Sequence, residues 1–172
     1  MSAPVVNPDE YRDVNTFRKV YQAGLEDEQK VIEYMQKLGH KVEPSTRDEN
    51  IVQDIDCYID GVPTSIKAQH AGLKYGDVYM ELEAQLTSTK KWVASWFKLG
   101  KAEQYLILQG NTLRLYKKAD ILKHVAEIGW SHQRTLSASV KATQGGSYRF
   151  CNAKLGFFKP NTIVHQRWTI EA

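Results

Sequence analysis

Cysteine is scarce in this 172-residue chain. Cys57 and Cys151 are too few for a disulfide framework and lack the paired spacing of a metal knuckle. No apolar run approaches the ~20 residues that span a bilayer. The N-terminus, MSAPVVNPDEYRDV, has no basic-then-apolar leader, so the expected location is cytoplasmic. His40, His70, His124, His132 and His165 are scattered, and none is paired at zinc-binding spacing. GxxxxGK[ST], GxGxxG, GxSxG and HExxH are all missing, which removes sequence support for nucleotide-dependent, dinucleotide, serine-hydrolase and zinc-hydrolase chemistry. Acid is nearly missing from residues 131–172, where six basic residues face Glu171 alone.

What is present fits one globular domain over residues 1–172. Apolar residues make up 42% and charged residues 25%, and the length suffices to bury a core without staples. The net charge of +3 is unevenly spread. Residues 87–101 carry Lys90, Lys91, Lys98 and Lys101 with no acid. The C-terminal part interleaves Arg149, Lys154, Lys159 and Arg167 with Tyr148, Phe150, Phe157, Phe158 and Trp168. Basic residues along a groove neutralise phosphates, so Lys90, Lys91, Lys98, Arg149, Lys154, Lys159 and Arg167 are the expected contacts to a polyanion. Most of the rings are expected to fill the core.

Periodicity orders the chain. The first ~15 residues read as a tail or arm. Val31, Ile32, Met35 and Leu38 fall at helical spacing within a helix over 25–38, closed by Gly39. The stretch IVQDIDCYIDGVPTSIKAQ reads as a hairpin, because Asp60-Gly61 suits a two-residue turn with positive φ at both positions. A strand follows at 78–83 and a helix at 92–99. Strands YLILQ and TLRLY meet at Gly110-Asn111, with a helix at 119–128 and short strands and loops after it. The sum is an α/β domain with one mixed central sheet flanked by helices.

The turn fixes the hairpin register: Ile59 faces Val62, Asp56 faces Ser65 and Asp54 faces Lys67. One face then carries Ile55, Cys57, Ile59, Val62, Thr64, Ile66 and Ala68, a core face. The other gathers Asp54, Asp56, Tyr58, Pro63, Ser65, Lys67 and Gln69. Pro63 cannot donate to the ladder, so a bulge there would slip the register by one. Two carboxylates beside an ammonium suit metal-assisted phosphodiester hydrolysis. Mg2+ takes one or two carboxylates plus water and phosphate, and a lysine beside it orients the attacking water and offsets developing charge. Gln69, on the same face, is placed to hydrogen-bond phosphate or water.

The run EDEQKVIEYMQKLGHKVEP, then DID, the hairpin and SIKAQ resembles the core of the PD-(D/E)XK nucleases. That family includes Holliday-junction resolvases, restriction enzymes and some homing endonucleases. The phrase WFKLGKAEQYLILQ is similar to the helix-to-strand segment that follows that core, and the likeness covers about residues 24–125. It implies a restriction-endonuclease-like fold and an Mg2+-dependent DNA endonuclease, with Mn2+ substituting. Glu28 matches the family's helix glutamate, Asp56 its aspartate (Asp54 being the alternative), and Lys67 its lysine. Metal ligands on this likeness are Asp56, Asp54, Glu28 and Glu81. The chain departs from the family at Ser65, which stands where the E-x-K acid belongs. Asp54, Glu81 or Glu83 would supply the missing carboxylate; otherwise the protein is a catalytically inactive DNA-binding module. A hydrolase cutting both strands of a duplex or a branched junction needs two sites, so a homodimer is expected, in a bacterial or phage-infected cell.

Overall fold

A computed structural model describes residues 14–137 and 150–171. The expected N-terminal arm up to residue 13, and Lys141, Gly145-Gly146, Tyr148 and Arg149, lie outside the described residues. In chain order the elements begin with α1 (Val14–Lys37), β1 (Val42–Pro44), α2 (Arg47–Ile51), β2 (Cys57–Ile59), β3 (Val62–Ala68) and α3 (Gly72–Tyr75). Next come β4 (Val78–Leu86), β5 (Trp92–Ala94), α4 (Trp96–Leu99), β6 (Gln104–Gln109), β7 (Thr112–Lys117) and α5 (Lys118–Glu127). The last are β8 (His132–Ser137), β9 (Phe150–Phe158) and β10 (Gln166–Thr169).

The helix α1 starts well before the expected Leu25 and stops where the sequence says. Gly39 takes φ +97°, its N–H donates to Gln36 O (2.9 Å), and His40 N–H donates to Met35 O (3.0 Å). This is a Schellman closure, in which the left-handed glycine lets the last carbonyls be satisfied.

Two sheets form where one was expected. A six-stranded mixed sheet runs β1-β2-β3-β6-β7-β10, antiparallel except for the parallel β3–β6 pair. A four-stranded antiparallel sheet runs β5-β4-β9-β8. Parallel strands need a long crossover. Here the β3-to-β6 crossover contributes β4 and β5, and the chain after α5 supplies β9, which pairs with β4, and β8 beyond it. The expected helix over 92–99 is a strand followed by one helical turn. Trp92, Val93 and Ala94 pair with Gln85, Ala84 and Glu83 of β4, and only Trp96–Leu99 turns helical. The four-residue spacing of Trp92 and Trp96 imitates a helix face, but strand pairing overrides it. The "short" strands of the tail include the nine-residue β9.

Each face of the six-stranded sheet carries a core. On one face Val31 and Met35 of α1 pack on Cys57, Ile59, Ile66, Leu106, Leu108 and Leu113. On the other, Tyr105, Ile107 and Tyr116 meet Val78, Met80 and Leu82 of β4, Phe97 and Phe158. No helix among the described residues is long and apolar enough to cross a membrane.

Gly156 lets Trp130 lie flat on β9, since a Cβ there would stand 2.5 Å from Trp130 Cδ2. Gly156→Ala is expected to lower stability by about 1–3 kcal/mol through overpacking. Urea unfolding checks this; an unchanged midpoint would mean that the indole is not seated there.

Candidate active site

The hairpin forms in the expected register. Asp60 and Gly61 take φ +50° and +82°, and Ile59 pairs with Val62, Tyr58 with Pro63 and Cys57 with Thr64. Pro63 causes no slip. Below Cys57 the ladder frays. Asp56 N still donates to Thr64 O (2.9 Å), and Asp54 adopts φ +55°, a left-handed conformation that aspartate tolerates better than most residues.

The polar face closes into one buried cluster. Lys67 Nζ lies 2.8 Å from Asp54 Oδ1. Ser65 Oγ lies 3.2 Å from Asp54 Oδ2 and 3.4 Å from Asp56 Oδ2, so both carboxylates converge on one hydroxyl. Asp56 Oδ2 also accepts from Ile66 N (2.6 Å), and its Oδ1 accepts from Asn50 Nδ2 (2.8 Å). Asn50 is set by α2, whose capping box joins Thr46 and Glu49 reciprocally. Tyr58 Oη donates to Glu49 and ties that helix to the hairpin. Asp54 is 3% exposed, Asp56 6%, Ser65 0% and Lys67 9%, so this is an interior ionic network rather than a wet strand face.

The second sheet covers the cluster. The Trp96 ring lies over Lys67 Nζ, 4.4 Å from centroid to nitrogen. Gly100, just past α4, is close-fitting: a Cβ there would stand 3.3 Å from Asp54 Cβ. Of the two β4 glutamates, Glu81 belongs here and Glu83 does not. Glu81 accepts from Ser95 Oγ; burial pushes its carboxyl up, the Ser95 bond and the Lys67 charge pull it down, and the Asp54 charge pushes it up again. Glu83 instead meets Lys154 (3.4 Å) and Lys98 (3.8 Å).

Two groups were not foreseen. Tyr105 pairs with Ser65 across β3–β6, and its hydroxyl is raised by burial and by the Asp54 charge. Its Oη is buried with no hydrogen-bond partner among the described residues. Lys118 donates to Gly100 O (2.9 Å); burial and the Lys101 charge lower its ammonium, while Asp54 raises it. Both sit at the end of non-local pairings, so no local motif could have found them.

Two expected residues are placed elsewhere. Glu28 rides on α1, which docks on the opposite face of the sheet through Val31 and Met35. Its charge acts on Cys57, whose thiol is pushed up to about 12, mainly by burial. Gln69 is not turned toward a phosphate. Its Nε2 donates to Tyr79 O (2.9 Å) and its Oε1 accepts from Tyr79 N (3.1 Å), so both ends clasp the edge of β4.

The expected polyanion contacts are spread over both sheets. Lys98 and Lys154 share Glu83, with Lys154 also over the Trp92 ring (4.3 Å). Lys159 faces Asp77 (3.4 Å), Lys90 Nζ lies 3.9 Å from Cys151 Sγ, and Lys91 and Arg167 are exposed. The chain matches no family model, and no curated protein or solved structure is significantly similar to it.

Because Asp54 is buried, removing the Lys67 ammonium beside it leaves a charge poorly compensated. Lys67→Met is expected to destabilise the fold by about 3–5 kcal/mol, and adding Asp54→Asn should recover part of the loss. Denaturant unfolding of the single and double variants reads this; equal stability of Lys67→Met and the parent would refute the buried pair.

Proposed function

We propose that the protein is a metal-dependent DNA endonuclease whose chemistry centres on Asp54, Asp56 and Lys67. The carrying observation is that both carboxylates converge on Ser65 Oγ while Lys67 stands 2.8 Å from Asp54. Hard oxygen donors in pairs suit Mg2+, and Mn2+ would substitute. Among the described residues no three His, Cys, Asp or Glu side chains stand in metal-binding geometry. The residues that would hold an ion are Asp54 and Asp56, with Glu81 as the further carboxylate whose charge reaches Asp54. The buried, unpartnered Tyr105 Oη fits a further polar group at the same place. When bound, the ion would acidify a water and neutralise phosphate charge.

The protein's own groups divide the remaining work. Asp54 and Asp56 hold the cation. Lys67 orients the attacking water and offsets charge on the phosphate. Ser65 supplies a hydroxyl where the resemblance calls for an acid, so Glu81 provides the extra negative charge. Since Trp96 lies over Lys67, a phosphodiester would reach the lysine only with that ring swung aside. Glu28, across the sheet, is left out of the ligand set. Junction resolution, homing or nicking, and restriction all suit this chemistry. Cutting both strands suits a symmetric dimer, and the expected compartment is the cytoplasm of a bacterial or phage-infected cell.

Burial favours a second reading, a catalytically inactive DNA-binding module. A cluster this covered, with Ser65 replacing an acid, is also what a retained structural network looks like.

The test is incubation with supercoiled plasmid and a synthetic four-way junction in Mg2+, Mn2+ or EDTA. Metal-dependent cutting is expected, with a loss of about 100-fold or more in Asp56→Asn and Lys67→Ala and retained DNA affinity. Undiminished cutting by both variants would move the chemistry elsewhere. Tight binding without cutting would establish the inactive module.

A further inference from the structure

Cross-strand neighbours on one face of a sheet stand ~5 Å apart at Cβ, and like charges so placed repel. The β7–β10 register sets Arg114 opposite Arg167 and Thr112 opposite Thr169. Residues two apart on a strand share a face, so two guanidiniums and two hydroxyls form one square patch.

Arg114 is 9% exposed, yet its partners are neutral. Its Nε donates to Asn161 Oδ1 (3.2 Å) and its Nη1 to Gln109 Oε1 (3.1 Å). Gln109 is itself fixed, donating to Asp77 O (2.7 Å). The Asp77 carboxylate is taken up by Lys159 (3.4 Å) and His132 (4.0 Å). No described carboxylate pairs with Arg114 or Arg167, and the Arg167 side chain makes no hydrogen bond to a described residue. The Nη2 group of Arg114 is not sealed in the interior. A largely buried cation held by amide oxygens beside a second cation is a poor arrangement for a protein alone. It is a good one for an anion bound from outside, because a guanidinium presents a fork of donors to phosphate.

We propose that Arg114, Arg167, Thr112 and Thr169 form a contact site for the phosphodiester backbone of DNA, a site that rests on the DNA-directed reading above. Arg114 is the preset half, held in orientation by Gln109 and Asn161. Arg167, on the edge strand, closes on the phosphate from the side. The patch also shares a face with the candidate active site. Lys67 pairs with Ile107, Ile107 with Arg114, and Arg114 with Arg167, in one row across the sheet. Lys67 and Arg114 are two strand spacings apart, about 10 Å, with buried Ile107 and the β4 side chains Val78 and Met80 packed over the row between them, so the patch is reached from the β10 edge of the sheet.

The experiment is fluorescence anisotropy of a labelled DNA duplex with the full chain in EDTA, across a salt series, beside the plasmid-cutting assay in Mg2+. Arg167→Gln, at an exposed position, is expected to weaken binding about 10-fold and to reduce the slope of log K against log salt by about 1. Arg114→Lys keeps the charge but not the fork, and should weaken binding several-fold with little change in slope. If the parent binds and cuts DNA while both variants match its affinity and slope, this site is refuted and the nuclease reading stands. Arginine-dependent binding without any metal-dependent cutting supports the site and refutes the nuclease. A parent that binds no DNA overturns both.

Discussion

Everything near the hairpin depends on the contact between the Asp54 carboxylate and the Lys67 ammonium. Buried charges are tolerated only when paired and hydrogen-bonded, and this pair is more than nine-tenths buried on both sides. Satisfying it forces the chain before β2 out of the ladder: Asp54 takes a left-handed conformation, and α2 is positioned to hold Asp56 through Asn50. It also dictates what can lie above. Gly100 passes beside Asp54 at a distance that leaves little room for a side chain, and the aromatic face of Trp96 covers the ammonium. An aromatic ring over a cation is favourable in itself, so the cover adds to the pair's stability while closing it off.

The long β3-to-β6 crossover explains how a simple hairpin acquires a site. A parallel pair cannot be joined by a tight turn, so the chain must leave the sheet and return. On that excursion it builds β4, β5 and α4, and delivers Glu81, Ser95, Trp96 and Gly100 to the polar face of β3. The Gln69 amide then clasps the free edge of β4 at Tyr79 and fixes one sheet relative to the other. Stability and access are opposed here: the contacts that bring a third carboxylate close also bury the lysine. The turn α4 holds that cover in place: Phe97 is buried in the core between the sheets, and the Gly100 N–H to Trp96 O bond closes its end.

Much of the local structure was legible in the sequence. The Asp60-Gly61 turn, the strands meeting at Gly110-Asn111, the end of α1 at Gly39 and the helix after β7 all follow from residues within a few positions of one another. The convergence of Asp54, Asp56, Ser65 and Lys67 was legible too, because a two-residue turn fixes side-chain register for several residues on either side. Three expectations failed for a shared reason. Residues 92–99 were read as a helix, Glu28 was expected among the metal ligands, and Gln69 was expected to hydrogen-bond phosphate or water. Each depends on which distant strand or face lies opposite, and periodicity carries no information on that.

By itself, then, the sequence determined the hairpin, its turn and the chemical content of its polar face, since these follow from short-range sterics and the alternation of strand side chains. Tertiary structure alone decided that α1 docks on the far face, that β4 brings Glu81 and not Glu83 to the cluster, and that Arg114 meets Arg167. Those juxtapositions join residues far apart in the chain. They are selected by the burial of two apolar faces at once, a property of the whole packed sheet that no short stretch of sequence contains.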